Sequence, residues 1–397
     1  MHPSDVIRGA ASDLLAGKRV ILGVSGSISA VRAVEVAREI IRHGADVIPV
    51  MTPSAERIIH PDALEFATGH RTITRLTGAV EHVDLKGDLM VVAPATGNTV
   101  AKIALGIDDT PVTTFATTHL GVAPVLIAPA MHGTMYENPF LVGHLERLRA
   151  AGVEVLDPVF EERKAKLADP VAIAEHAVRL AGPRTLKGRR VLVVAGSTEE
   201  PLDAMRVVSN RGTGAFGAAL AREAFRLGAE VELWWGRASV EPPAWIPTKR
   251  FATVADLLTL APEARRFDAV VMPAAVSDWA PAAPQRGKIP TSEGETVVRL
   301  APTPKVAKAI RAAFDGALVT FKAESGLAPD ALAARAREAL AANGAAFVVA
   351  NDVANAGRAE ASVLVVDAKG VAPLAGPKDR VARGILDRLA KVLGGAA

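Results

Sequence analysis

The sequence predicts an α/β chain with mainly parallel sheets, arranged as two domains. Three observations lead there. Short apolar runs bounded by Gly, Pro or polar residues alternate with stretches of helical spacing, the pattern of βαβ units. One approach to a strand occurs twice, at Leu15-Ala16-Gly17-Lys18-Arg19-Val20 and at Leu186-Lys187-Gly188-Arg189-Arg190-Val191. A chain of 397 residues that is 50% hydrophobic can also bury two medium-sized cores.

Taken in order, residues 19–24 form the first apolar run and read as a buried parallel strand. Residues 30–43 carry helical spacing, and Gly44 is placed to end that helix. Further strands are expected at 46–51, 89–93, 124–128 and 153–156. The pattern resets across Gly182-Pro183-Arg184-Thr185, so the domains are expected at 1–186 and 187–397. The second domain opens with a strand at 189–195, followed by strands at 230–235, 269–272, 318–321, 346–350 and 362–366. Residues 279–294 are rich in Pro, Gly and polar groups and read as a long loop, a kind of segment that often carries function.

Charge and composition exclude several classes. Lys plus Arg number 46 against 43 for Asp plus Glu, and the basic residues are scattered, so no nucleic-acid footprint is present. Cysteine is absent, which excludes disulfides, thiolate metal sites and thiol catalysis. The first 18 residues lack the apolar core of a signal peptide, and no apolar run reaches membrane-spanning length. A cytoplasmic chain with no membrane partner is the expectation.

In open parallel sheets, ligands gather beyond the carboxyl ends of the strands. Four such ends in the first half carry small and polar residues. Gly23-Val24-Ser25-Gly26-Ser27-Ile28-Ser29 joins a strand to a helix and offers backbone N–H groups, hydroxyls and a helix N-terminus, all suited to a phosphate. It lacks the G-x-G-x-x-G spacing of dinucleotide sites, so a mononucleotide fits better; a plain turn with an N-cap serine is the alternative reading. The second end, Met51-Thr52-Pro53-Ser54-Ala55, has a hydroxyl placed to cap the next helix. The third and fourth ends are Ala93-Pro94-Ala95-Thr96-Gly97-Asn98-Thr99 and Pro129-Ala130-Met131-His132-Gly133-Thr134-Met135, and His82 stands just before the third strand.

Together and in this order, these segments resemble the FMN-binding cysteine decarboxylases. The resemblance implies a three-layer, Rossmann-like domain of flavodoxin type. It implies FMN held by Gly23, Ser25, Gly26, Ser27, Ile28, Thr52, Pro94, Ala95, Thr96 and Asn98, with the fourth loop in the substrate site. His82 is then the catalytic histidine, holding the substrate thiol or acting as a base. His132 stands where the family commonly has Asn, and an imidazole can still donate a hydrogen bond to a carboxylate. The flap cysteine of bacterial members, their proton donor, has no counterpart here. In its place lies Phe160-Glu161-Glu162-Arg163-Lys164-Ala165-Lys166-Leu167-Ala168-Asp169, which resembles the archaeal type. Lys164 and Lys166 are candidates for proton donor or phosphate clamp, with a solvated charge run as the alternative.

In the second half, Gly196-Ser197-Thr198-Glu199-Glu200-Pro201-Leu202-Asp203 follows a strand, and Ser209-Asn210-Arg211-Gly212-Thr213-Gly214 leads into a helix. Glycines before a helix permit close approach of backbone to phosphate, which alone suggests only a generic nucleotide site. With Ala274-Ala275-Val276-Ser277-Asp278, Lys288-Ile289 and Ala350-Asn351-Asp352-Val353, the set resembles the phosphopantothenate–cysteine ligases over about residues 187–390. The two resemblances together are those of the fused bifunctional proteins of coenzyme A synthesis. They imply a second Rossmann-like domain and three substrates, 4'-phosphopantothenate, cysteine and CTP, with Mg²⁺ and no identified metal ligands. Asn210 is implied to contact the acyl nucleotide and Lys288 the nucleotide and its phosphates, both as catalytic residues. Gly196, Ala274, Ala275, Val276, Asp278, Thr303, Pro304, Lys305, Val306 and Phe321 are implied to line the nucleotide pocket.

The family's two lysines before the Ala-Asn-Asp-Val strand align with Ala339 and Asn343, which carry no charge. Arg335, Arg337 or Lys322 are the candidate replacements, and the change leaves ATP open beside CTP. Homo-oligomers with trimeric flavoprotein domains and dimeric ligase domains are implied as well. The alternative functions are a ligase with an impaired decarboxylase and a flavin-binding inhibitor of a phosphatase. The second usually has a long acidic tail, which is absent here.

Overall fold

Runs of branched apolar side chains become strands within a few residues of the expected places. The computed structural model describes residues 2–290, 294–353 and 360–394. It divides into two units, Met1–Pro183 and Arg184–Ala397.

The strands of the first unit are β1 (Arg19–Val24), β2 (Asp46–Met51), β3 (Leu89–Ala95), β4 (Val125–Pro129), β5 (Met131–His132), β6 (Glu154–Val155), β7 (Val159–Glu161) and β8 (Lys164–Lys166). Five form one sheet in the order β2-β1-β3-β4-β6, with every pair parallel. Alternation along β1 divides the layers. Val20, Leu22 and Val24 join the core under helices Ala33–Arg42 and Pro170–Ala181, while Ile21 faces helices Gly97–Leu105, Pro111–His119 and Pro139–Ala150. The helix expected at 30–43 is split: a 3-10 turn spans Ile28–Arg32, and the α-helix begins at Ala33. The remaining strands make a small antiparallel sheet, β5-β8-β7.

The second unit contains β9 (Arg190–Ala195), β10 (Glu199–Pro201), β11 (Val207–Ser209), β12 (Glu230–Trp235), β13 (Thr248–Arg250), β14 (Ala269–Met272), β15 (Trp279–Pro281), β16 (Leu300–Pro302), β17 (Ala317–Glu324), β18 (Phe347–Asp352), β19 (Glu360–Asp367) and β20 (Gly370–Pro377). Its main sheet runs β13-β12-β9-β14-β17-β18-β19-β20, parallel as far as β18 and closed by two antiparallel strands. Val191 and Val193 face a core shared with helices Ala215–Arg226 and Lys378–Val392; Leu192 and Val194 face helices Val254–Leu260 and Val306–Ala313. The expected loop at 279–294 begins with β15, which pairs antiparallel with β16; its residues 291–293 lie outside the described ones. Two hairpins thus lie off the main sheet, β10–β11 and β15–β16. Both units are three-layer α/β structures. Among the described residues, no helix is long and apolar enough to cross a membrane.

Candidate active sites

In the first unit, β1 and β3 are neighbours, so their carboxyl-end loops meet. Ser25 is fully buried between them. Its hydroxyl donates to the Pro94 carbonyl at 2.8 Å and accepts from the Thr96 N–H at 2.8 Å. The second loop closes on the first at Gly26, where a Cβ would come within 2.5 Å of the Ser54 Cβ. Thr52 is buried, and its hydroxyl accepts from the Ala55 N–H at 3.2 Å. Ser27 caps the Ile28–Arg32 turn and Thr96 caps helix Gly97–Leu105, so two helix starts, with their positive dipole ends, stand at adjacent strand ends. Ile28 is exposed beside them. Hydroxyls, helix starts and a side-chain-free Gly26 are the chemistry a phosphate-bearing flavin needs. Ala95 is buried at the end of β3, and Asn98 lies in the first turn of the helix that Thr96 caps. Gly23 differs from its loop: it is buried within β1, where a Cβ would meet Met90 and Val112 at 2.8 and 2.9 Å.

His82 sits on the single turn Glu81–Asp84, entered through Val80 with φ of 56°. Its Nδ1 is buried and has no hydrogen-bond partner among the described residues. Thr77 holds the neighbouring Glu81 carboxyl below its ordinary range through its hydroxyl and N–H.

The charged stretch 160–166 is a β-hairpin. Glu162 and Arg163 form its tip with φ of 50° and 61°, the left-handed region, without the Gly or Asn that such a tip favours. The hairpin docks on β5: His132 lies opposite Lys164, and Met131 opposite Ala165. Gly133 donates its N–H to the Arg163 carbonyl at 2.9 Å, and a Cβ there would lie 2.6 Å from that oxygen. Phe160 packs edge-on against Tyr136 at 5.4 Å between ring centres. The Lys166 ammonium lies 2.5 Å from Glu161, which raises the lysine's pKa and lowers the acid's. Lys164 lies 3.6 Å from Glu162.

In the second unit the backbone turns sharply after β9. Gly196 has φ of 85°, and a Cβ there would lie 2.8–2.9 Å from the backbone of Gly236 and Arg237. Only glycine fits. Ser197 and Thr198 follow, both buried; Ser197 accepts the Gly212 N–H at 3.1 Å and Thr198 accepts the Ser277 N–H at 2.9 Å. Asn210 donates its amide to the Ala275 carbonyl at 3.1 Å. These bonds join three loops around a cavity of about 930 Å³. Its walls include Gly196, Asn210, Ala274, Ala275, Val276, Asp278, Thr303, Pro304, Lys305, Val306 and Phe321. Lys305 is ion-paired with Asp278 at 2.5 Å, and Phe321 meets Phe216 edge-on at 5.7 Å.

Lys288 is not on that wall; it stands exposed on the loop after β15. Arg335 and Arg337 are absent from the wall too, being exposed on helix Pro329–Asn343, where Arg335 pairs with Glu338 at 3.1 Å. Lys322 and Asn343 do line it, Lys322 lying 3.1 Å from Glu324. Sequence reasoning passed over Arg211, Asn351 and Lys378 as wall residues. Arg211 and Asn351 lie inside motifs whose neighbours drew the attention, and Lys378 carries no local signal. Among the described residues, no three His, Asp or Glu groups come together to hold a metal.

Residues 9–182 match the family model described as Flavoprotein, and residues 186–393 match that of the DNA/pantothenate metabolism flavoprotein C-terminal domain. The coenzyme A biosynthesis bifunctional protein CoaBC of Thermococcus kodakarensis is 42% identical over 378 residues, covering 92% of this chain and 93% of that one. CoaBC of Methanocaldococcus jannaschii is 33% identical over 401 residues, covering 99% of this chain and 98% of its own. The solved C-terminal domain of a CoaBC protein is 28% identical and covers 53% of this chain and 98% of that one, with a TM-score of 0.45.

Proposed function

The chain belongs to the family of bifunctional coenzyme A biosynthesis proteins, and from that premise we propose how its own residues serve the two reactions. The first unit is the flavoprotein decarboxylase and the second the ligase. The observation that carries the ligase assignment is the cavity: every expected nucleotide contact except Lys288 lines one space together with Asn210.

In the ligase unit, the carboxylate of 4'-phosphopantothenate attacks the α-phosphorus of CTP. The bond to pyrophosphate breaks and an acyl cytidylate forms. The amine of cysteine then attacks the acyl carbon, CMP leaves, and the amine proton passes to solvent. The start of helix Ala215–Arg226 and the backbone of Gly212 and Gly214 face the phosphates. Asn210 holds the acyl nucleotide. Lys288 and Lys322 neutralise the charge that develops on the departing pyrophosphate. Mg²⁺ would enter with CTP as the counter-ion of its phosphates, and would supply further neutralisation of their charge.

In the decarboxylase unit, FMN supplies a two-electron acceptor that later returns the pair. Ser25, Gly26, Ser27, Ile28, Thr52, Pro94, Ala95, Thr96 and Asn98 would hold it. His82 takes the thiol proton. His132 hydrogen-bonds the substrate carboxylate until CO₂ leaves, and Lys164, opposite it on the hairpin, delivers the proton that a cysteine gives in bacterial relatives. The setting is cytoplasmic and the assembly homo-oligomeric, with trimeric flavoprotein units and dimeric ligase units. Sedimentation equilibrium of the whole chain tests the assembly.

The central test uses purified protein with phosphopantothenate, cysteine, CTP and Mg²⁺, followed by mass analysis. Phosphopantetheine is the expected product. Accumulation of phosphopantothenoylcysteine alone would sink the decarboxylase assignment. His82→Asn should stop CO₂ release and leave ligation intact.

A further inference from the structure

We propose that Asp203 is the positioning residue for Lys288. The proposal rests on the reading of Lys288 given above. Asp203 lies in the turn between β10 and β11, and its carboxylate is wholly shielded from solvent. Its two oxygens divide their duties. Oδ1 accepts the N–H groups of Met205 and Arg206 at 2.8 and 2.7 Å, which is all that capping the turn requires. Oδ2 accepts the Arg206 guanidinium at 2.8 Å and, from a distant part of the chain, the Ile289 N–H at 3.1 Å. Arg206 also donates to the Ile289 carbonyl at 3.3 Å, so Ile289 is held on both sides of its backbone.

A second anchor lies four residues earlier, where the Gln285 N–H donates to the Leu202 carbonyl at 3.0 Å. Between the anchors, Arg286, Gly287 and Lys288 are exposed, while Ile289 is buried. Lys288 therefore stands on a short bow of chain with both ends pinned to one hairpin. That hairpin continues through β11 straight to Asn210 on the cavity wall. A single rigid element thus carries one catalytic side chain and tethers the other. Without the tether, the lysine would belong to a loop running from β15 to β16, and ordering it at the phosphates would consume more conformational entropy.

The test is single-turnover pyrophosphate release from CTP and phosphopantothenate, without cysteine, in wild type, Asp203→Asn, Lys288→Gln and the double variant. Aminolysis of preformed acyl cytidylate and hydrogen exchange across residues 286–289 accompany it. Asp203→Asn should slow pyrophosphate release roughly tenfold, as losing a charge-assisted bond to a functional loop does, leave aminolysis near wild type, and speed exchange at Ile289. In the Lys288→Gln background, followed at high enzyme concentration over long times, it should add nothing. Asp203→Ser, which can still cap the turn, must show the same pattern, so a variant that merely unfolds is recognised. Equal slowing in both backgrounds, equal slowing of both half-reactions, or unchanged exchange at Ile289 overturns the proposal. A slow Lys288→Gln beside a normal Asp203→Asn overturns it alone; a wild-type rate for Lys288→Gln overturns the reading of Lys288 with it.

Discussion

Replacing Ser25 by Ala tests whether the flavin loops act as one body. The fully buried Ser25 hydroxyl ties the Pro94 carbonyl to the N–H of half-buried Thr96. Removing it leaves that N–H without its partner. The Pro94 carbonyl keeps a bond at 3.2 Å from the Ser25 N–H, so only one group is orphaned. Leaving one buried donor unmade costs about 1–3 kcal/mol. For a unit of this size each kcal/mol lowers the melting temperature by roughly 2–4 °C, so a drop of about 5 °C is expected. Because the loops on both sides of the lost staple bind flavin, the affinity for FMN should fall in parallel. Flavin-fluorescence titration measures the affinity, calorimetry the melting, and pyrophosphate release by the ligase unit serves as an internal control. A variant that retains wild-type flavin affinity and melts within a degree of wild type would refute the staple.

Three further outcomes follow from the geometry. Gly217→Ala places a Cβ 2.2 Å from the Ala195 Cβ, so helix Ala215–Arg226 must lift from β9; weaker CTP binding, read by calorimetric titration, and a lower melting temperature are expected. Lys322→Gln should raise the KM for CTP several-fold with little change in the KM for cysteine, while Arg335→Gln should change neither. The Asp203 carboxyl lies below its ordinary value of 3.8 because backbone N–H groups of Met205 and Ile289 bond it. Its contribution to stability is therefore complete above that value and lost as pH falls through the lower folded one; an acid-unfolding curve of Asp203→Asn should be flatter than wild type below about pH 4.

Legibility followed physical cause. Strands β1 and β14 are buried on both faces beyond Arg19, so each reads as an apolar run, while β12 alternates Glu230 and Glu232 with buried Val231 and Leu233; in all three the expected bounds match the observed ones. β20 escaped notice because Gly370, Pro373, Gly376 and Pro377 read as turn residues; an outermost strand with half its side chains in solvent tolerates them. The hairpin β7–β8 read as a charge run because nothing in Glu162-Arg163 announces a left-handed tip. Loop motifs with small residues at strand ends marked the loops that come together in each unit, since close backbone approach demands those residues wherever the chain is read. The clamp on Ile289 was invisible, because it joins residues far apart in sequence; of the three candidate replacements for the missing lysines, Lys322 alone lies on the cavity wall. On helix Pro329–Asn343, Leu332, Ala333 and Ala336 take the buried face, which turns Arg335 and Arg337 outward.

The main sheet of the second unit also bears on self-association. At one end β13 is three residues long and carries Lys249 and Arg250. At the other, Pro373 and Pro377 of β20 have no N–H to offer a visiting strand. A short charged margin and a margin interrupted by two prolines are both poorer templates for an added strand. Neighbouring copies are thereby discouraged from zipping onto this sheet, even in a concentrated solution of the protein. A homo-oligomer would then be built from loops, helices or the small hairpins, and the parallel core would stay closed to growth.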